Sequence, residues 1–530
     1  MKTRVPVGSD LVARATAVDH FSEWHLQGDP NPEVRLYRGL IPLSKPAAGQ
    51  QYAFEVDLDR CTGCKACVVA CHSMNGLLEE ESWRDVGTLT GEANSEPWLQ
   101  TVTSACHHCA EPGCLEGCPV GAYEKDSATG IVRHLDDQCI GCRYCELKCP
   151  YGVPKYSEAL GIVRKCDLCA GRLAVGQAPA CVNACPSEAI RVRIVDIQEV
   201  LSQAGPGVRM LAGAFPSEYT KPTTRYVTAK SVPLEVRSSG ESVSVRQAPH
   251  WPLVVMLQLT QLAAGLWVLA LVFSMFGEGL LENPAFLSAT VALHAGLGAS
   301  VLYLGRPLGA WRFFVGLRTS WMSREILAFG AVSGASLLTV ALLWTLPPGA
   351  AWTLAAKAQT VLGAAVAVWT SVMIYVDTRR PGWERLRVAL VFIGGCLSLG
   401  LSFSALLALL CGAFPQAGAL VWAAVVWRSA LLALNEWDRR RSRVAGGAIA
   451  GVLLFRDAVV PSARWLRLAL SAGSSLCGVF ALFGGGAKVS VAFAAASFAL
   501  TFVEEGFRRW LFFVGTPAPQ MPRSLPGEAL

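Results

Sequence analysis

The chain has 530 residues, 52% hydrophobic and only 16% charged, with a formal net charge of +6. Sixteen of the nineteen cysteines lie between Cys61 and Cys185 and nearly all long apolar runs follow Trp251, so these averages describe a polar, cysteine-rich head joined to a membrane body. That division excludes an all-soluble enzyme, a disordered chain and a small disulfide-stapled secreted module, and without a basic stripe interleaved with aromatics nothing points to nucleic acid.

Residues 1–51 show scattered Pro, Gly and charge without period and read as an N-terminal extension. MKTRVPVGSD is followed by polar and acidic sequence through Glu33 rather than by an apolar run, so no cleavable leader is expected and the head should begin in the cytoplasm. From residue 52 to 195, short alternating pieces such as Ala53–Asp57 and Gly130–His134 suit strands, each leading into a Cys-rich loop. Residues 196–250 turn to Gly, Ser, Pro and Thr and read as a covering segment and linker.

The cysteines fall into four groups: Cys61, Cys64, Cys67 and Cys71; Cys106, Cys109, Cys114 and Cys118; Cys139, Cys142, Cys145 and Cys149; Cys166, Cys169, Cys181 and Cys185. Three closely spaced thiolates can hold three irons of a cubane, while a fourth, leaving on a helix, reaches a neighbouring cluster. Four-cysteine zinc sites separate two pairs by a long spacer and have no use for a third cysteine and a Cys-Pro beyond it. Four groups of four therefore imply four 4Fe-4S clusters; spacing alone leaves open whether the groups cross-ligate as neighbours or as a nest.

Residues 251–513 hold eight apolar stretches long enough to cross a hydrocarbon core as helices, near 253–276, 284–304, 325–345, 353–376, 388–411, 417–435, 464–484 and 488–507. The stretch Gly446–Leu454, between Arg443 and Arg456, is too short to cross and reads as loop or a re-entrant piece. Residues 514–530 form a tail. The expected fold is an α+β ferredoxin-like four-cluster head followed by an all-α eight-helix transmembrane bundle.

The segments ACHHCAEPGCLEGCP, CIGCRYCELKCPYGVPKY and KCDLCAGRLAVGQAPACVNACP resemble the iron-sulfur subunit of the dimethyl sulfoxide reductase family of molybdopterin oxidoreductases. The resemblance implies nested ligation: Cys61, Cys64, Cys67 with Cys185; Cys166, Cys169, Cys181 with Cys71; Cys106, Cys109, Cys114 with Cys149; and Cys139, Cys142, Cys145 with Cys118. Lys65, Arg143, Lys148, Lys155, Arg164, Lys165 and Arg172 are placed to offset the negative charge of such clusters and tune their potentials.

In the membrane half only His294 lies inside an expected span, with His250 just outside one, so two bis-histidine haems are impossible and no haem is expected. A lipid quinone is the expected carrier. QLAAG at 261–265, ASVLYLGRP at 299–307, RTSWMSREI at 318–326, Tyr375 with Pro381–Trp383, and Glu505 with Arg509 resemble the haem-free anchor subunit of the same family. That resemblance implies a quinol site at a histidine before the Leu-Gly-x-Pro turn and at a glutamate opening the third helix. Here the glutamate is Glu325, but the histidine position is Tyr303, a poor proton acceptor with a reference pKa of about 10; His294 is out of phase and cannot replace it. Glu325, Tyr303 and Arg306 are the candidate quinol residues. The bland role for Glu325 is pairing with Arg318 or Arg324.

Arg428 is expected to pair with Glu436 or line a polar cavity, and the spans otherwise hold almost no ionisable groups, which disfavours an ion-translocating module. Cys396, Cys411 and Cys477 read as packing residues. With eight spans the head shares its side with the arginine-rich loops at 306–318, 379–387 and 439–456, so the positive-inside rule places it in the cytoplasm. Several members of the resembled family instead work outside, after export with a twin-arginine-tagged partner.

The expected function is an electron-transfer and membrane-anchor subunit of the anaerobic-respiration type in the cytoplasmic membrane. It would pass electrons from quinol to a separate molybdopterin-containing catalytic subunit, because no segment remains for a molybdopterin domain. The same parts could run in reverse.

Overall fold

The computed structural model describes residues 39–522 apart from 80, 94–95, 234–235, 239–249, 276–278, 348–349, 446, 485 and 520. Most of the N-terminal extension and part of the linker lie outside the described residues.

In the head, β1 (Gln50–Asp57) pairs antiparallel with β8 (Ile190–Asp196) and parallel with β9 (Arg225–Val227). Tyr52, Phe54 and Val56 alternate on the inward face of β1 and are almost fully buried, the period of two that made the segment legible as a strand. A long hairpin of β2 (Asp85–Ala93) and β3 (Glu96–Ser104), extended by β10 (Val236–Ser238), closes one side. Two small hairpins, β4–β5 (Tyr123–Lys125 and Val132–His134) and β6–β7 (Lys155–Ser157 and Ile162–Arg164), carry the middle cysteine groups. Short helices leave the cysteine loops: α1 (Ala66–Met74), α2 (Gly113–Glu116), α3 (Tyr144–Lys148), α4 (Ala170–Ala174) and α5 (Ala180–Asn183). Asp196 caps α6 (Ile197–Gln203) through the amides of Gln198 and Glu199.

Among the described residues, eight helices are long and apolar enough to cross a membrane. They are Trp251–Met275, Gly279–Val301, Trp321–Thr345, Ala351–Val376, Arg385–Leu410, Phe414–Ala445, Ala463–Phe483 and Ala487–Val514. The first and fifth cross so closely that a Cβ on Gly265 would lie 1.9 Å from the Cys396 carbonyl oxygen, the small-residue contact by which membrane helices gain packing. Cys396 is buried there, in the shared core.

Several bounds differ from the sequence expectation: the second span begins five residues before 284, and the eighth runs seven residues beyond 507. The sixth span runs ten residues beyond 435, because the basic stretch that ends the apolar run has good helix formers and continues the helix out of the bundle. Gly447–Val459, expected as loop or re-entrant chain, is a helix. Val452 and Leu453 are buried, Val452 lying against Gly382, and Asp457 is held by Arg439 at 2.6 Å and by Arg443. The only charged residues of this helix, Arg456 and Asp457, follow the buried Val452 and Leu453 toward its C-terminal end.

The head is seated on the loops after the second and fourth spans. Pro307–Gly316 forms a 3₁₀ segment under the head. The Gly316 amide donates to the Pro119 carbonyl at 3.0 Å, and the Ser320 hydroxyl to Gly117 at 2.7 Å. At the other loop Lys148 meets Asp377 at 2.6 Å, and Arg380 donates to the carbonyls of Glu146 and Leu147 at 3.0 and 3.2 Å. From the tail, Met521 is buried in the head core.

Candidate functional site

The cysteine loops turn through left-handed conformations at Gly63 and Lys65, at Gly141 and Arg143, and at Leu168 and Cys169. Such turns curl successive amides toward one concavity, a setting that favours anions. Amides donate directly to sulfur: Gly141 to Cys139 at 3.4 Å, Leu168 to Cys166 at 3.4 Å, Ala122 to Cys118 at 3.2 Å and Ala189 to Cys185 at 3.2 Å.

Cys61, Cys64, Cys67 and Cys185 line one cavity, and Cys106, Cys109, Cys114 and Cys149 line another. Cys181 and Cys169 are sulfurs near enough to act on the charge of Cys71, as Cys118 and Cys139 act on Cys142. The folded chain thus brings together four sets, named here by their first cysteines: the Cys61, Cys166, Cys106 and Cys139 sets. Burial pushes the thiols up, Cys71 to about 12 and Cys169 to about 11, so thiolates here need a cationic centre or buried cations to hold their charge. Sulfurs at the walls of a cavity, amide donors aimed at them and that need for positive charge all suit cubane iron-sulfur clusters.

Of the basic residues read from sequence, Lys165 is the most deeply engaged. It is 3% exposed, and its Nζ lies 3.7 Å from the Cys106 sulfur and 2.9 Å from the Cys166 carbonyl. Burial alone would lower the ammonium, but the Cys106, Cys114 and Cys166 thiols outweigh it and hold the pKa above its ordinary value. Arg164 instead pairs with Glu81 at 2.9 Å, and Lys148 with Asp377. Arg84, which the spacing of cysteines could not reveal, is 2% exposed and sits among sulfurs.

The loop of the Cys139 set meets the anchor loop that follows the second span. Gly305 and Gly161 pack backbone to backbone, and the Arg306 amide donates to the Ile140 carbonyl at 3.0 Å. Arg306 Nη1 donates to the Asp136 carbonyl at 2.8 Å, so this guanidinium is committed to holding the head. Tyr303 sits between head and anchor: its ring is 4.9 Å from that of His250, tilted at 57°, and 5.7 Å from the Arg143 guanidinium. Burial pushes its phenol well above the ordinary range, with Glu146 adding to the rise and Arg143 opposing it. Burial, and then Arg143, pushes His250 down to about 4, so the imidazole is neutral at pH 7. Sequence reading put His250 outside a span and gave it no role; its contact with Tyr303 is made by the fold.

Glu325 is buried in the third span and accepts a hydrogen bond from the Ser371 hydroxyl of the fourth. It makes no arginine pair among the described residues; Arg324 donates to the carbonyls of Leu317 and Arg318 instead, at 3.1 and 2.6 Å. The Tyr144 hydroxyl donates to the Ile374 carbonyl at 3.0 Å, and burial, followed in lesser part by Asp377 and Tyr219, pushes this phenol well up. Tyr303, His250 and Arg143 thus meet where the head joins the anchor, with Tyr144 reaching from the head to the fourth span.

Of the two expectations for Arg428, pairing with Glu436 fails, because that carboxylate binds Arg440 and Arg464; the arginine lines a cavity and donates to Ser402 and Ser474 at 3.2 and 2.6 Å. Nor is it nearly alone: Glu505 binds Arg508 and Arg509 at 3.0 and 3.1 Å, Glu504 binds Arg467 at 3.2 Å, and Lys357 pairs with Glu282, all largely buried. Hydropathy windows averaged these charges away against their apolar neighbours. His294 has Nδ1 on the Thr290 carbonyl and Nε2 on the Ser333 hydroxyl, both at 2.8 Å.

Comparison with known sequences agrees with the two halves. A 4Fe-4S binding domain matches residues 52–73, a 4Fe-4S dicluster domain residues 98–194, and the DMSO reductase anchor subunit residues 246–436. The B subunit of the anaerobic dimethyl sulfoxide reductase of Escherichia coli (strain K12) is 41% identical over 154 residues, 28% of this chain and 75% of its own length. The B subunit of the same reductase from Haemophilus influenzae is 36% identical over 200 residues, 36% of this chain and 96% of its own length. The iron-sulfur subunit of the nitrate-inducible formate dehydrogenase of E. coli is 36% identical over 169 residues, 28% of this chain and 57% of its own length.

Proposed function

Since the chain belongs to the family of dimethyl sulfoxide reductase iron-sulfur subunits, and carries that complex's type of anchor in the same polypeptide, we propose that it oxidises a membrane quinol at the junction of head and anchor and delivers the electrons to a separate molybdopterin-containing catalytic subunit. When bound, four 4Fe-4S clusters supply one-electron carriers from that junction outward. The reading is supported by Tyr303 lying against His250 and Arg143 where the head meets the anchor, and by Glu325 buried in the third span on Ser371.

Quinol oxidation releases two protons with its electrons, so the site needs acceptors as well as a nearby carrier. Glu325, with Ser371 as its sole hydrogen-bond partner among the described residues, is the acceptor on the membrane side. His250, pressed against Tyr303, is the second base at the junction; with its pKa held at about 4 it relays a proton onward rather than retaining it. Tyr303 orients the quinol oxygen by hydrogen bonding rather than by taking its proton. No haem enters this route, and both nitrogens of His294 already have protein partners. The arginines on the loops that share the head's side support a cytoplasmic head in the cytoplasmic membrane.

The test is Glu325→Gln in the full chain, reduced either by a quinol analogue or by dithionite. Loss of a proton acceptor should slow quinol-driven reduction about 10²-fold or more, with dithionite reduction and iron content unchanged. Quinol kinetics equal to wild type would overturn the assignment. Isolation from native membranes should bring a molybdenum-containing chain with it.

A further inference from the structure

Arg84 ends the approach to β2 and is 2% exposed. Its Nη1 donates to the Thr103 hydroxyl at 3.1 Å, and that hydroxyl lies 3.5 Å from the Cys67 sulfur. The guanidinium carbon stands 4.6 Å over the Phe54 ring, and among the described residues Nη2 has no hydrogen-bond partner and no carboxylate approaches. A fixed charge buried without a carboxylate is costly unless other negative charge answers it. The sulfurs acting on Arg84 belong to two different sets, Cys67 to the Cys61 set and Cys181, Cys166 and Cys71 to the Cys166 set.

Lys165 is the counterpart one step along the head, answered mainly by sulfurs and, in smaller part, by Asp167. It is 3% exposed, and the sulfurs acting on it come from Cys106 and Cys114 of the Cys106 set and from Cys166 of the Cys166 set. Two buried cations thus stand at the two successive boundaries between three cysteine sets.

We propose that Arg84 and Lys165 are positioning charges that raise the reduction potentials of adjoining clusters in pairs: Arg84 those of the Cys61 and Cys166 sets, Lys165 those of the Cys166 and Cys106 sets. Each cluster gains one electron on reduction, and a fixed positive charge in a site shielded from water favours the more negative, reduced form. Sharing one cation between two clusters keeps their potentials moving together, so neither becomes a trap between its neighbours. This inference rests on the four-cluster reading above.

The experiment is a potentiometric titration of the full chain followed by electron paramagnetic resonance, for wild type, Arg84→Gln, Arg84→Lys and Lys165→Gln. In R84Q the Cys61-set and Cys166-set clusters should each become at least tenfold harder to reduce, about 59 mV for one electron, with the other two unmoved; R84K should restore most of the shift. K165Q should move the Cys166-set and Cys106-set clusters, so the Cys166-set cluster alone responds to both. Unmoved potentials, an equal shift in all four clusters, or loss of iron from both Gln variants would overturn the proposal. Fewer than four clusters in wild type would overturn the four-cluster reading instead.

Discussion

Arg428 and Arg509 are both buried in the membrane half, yet their surroundings predict opposite responses to substitution. Arg428 donates only to hydroxyls, and these also bond one another: Ser474 meets Thr501 at 2.7 Å and donates to the Ser497 carbonyl at 2.8 Å. Arg428→Met removes a desolvated charge and orphans no partner, so we expect a change within about 1 kcal/mol or a gain in stability. Glu505→Gln leaves Arg508 and Arg509 buried without their counter-charge and should cost about 3–5 kcal/mol. Thermal unfolding in detergent compares the two. His250 gives a pH dependence: its pKa is about 4 folded and about 6.5 unfolded. Between those values the unfolded chain binds more protons, so this contribution is complete above pH 6.5 and is lost as pH falls through 4. Arg143 and Tyr303 are the groups facing it; heat stability should fall less from pH 7 to 4.5 in His250→Gln than in wild type.

At the scale of elements, the close approach of two loops decides whether the head stays seated. A Cβ on Gly305 would lie 2.1 Å from the Gly161 carbonyl oxygen and 2.8 Å from the Tyr156 hydroxyl. Gly305→Ala should therefore lift the β6–β7 hairpin from the anchor loop, slowing quinol-driven reduction while iron content and dithionite reduction persist. The cysteine loops were legible because ligation demands particular spacings, and the spans because hydrocarbon demands length and apolarity. The Gly305–Gly161 contact was not: LGRP and the hairpin turn are 144 residues apart, and nothing local in either records the other. Arg84 and His250 were missed for the same reason, since each meets its partners only through tertiary packing. The helix at Gly447–Val459 was misread because its length fits no span, while its stability comes from Arg439, Arg443 and the neighbouring loop.

For the whole molecule, the arginines that suggested a cytoplasmic head have a second task. Arg306 and Arg380 bind head carbonyls, while Arg387, Arg439 and Arg464 bind carboxylates of their own loops and helices. Neutralisation by acidic residues counts for little in membrane insertion, so the charge bias retains its direction. A membrane-impermeant protease applied to sealed spheroplasts should leave the head intact; cleavage there would place it outside.

The head and anchor matched separate families but here continue through His250 into Trp251 as one chain. Docking is therefore intramolecular, at an effective concentration that two independent chains would reach only when crowded to the millimolar range. Single contacts such as Lys148–Asp377 can be weakened without the halves diffusing apart, their stoichiometry is fixed at synthesis, and re-seating after a transient opening is a first-order event independent of expression level. Lys148→Met should accordingly show the same specific quinol-driven rate at every dilution of the membranes, whatever its absolute loss.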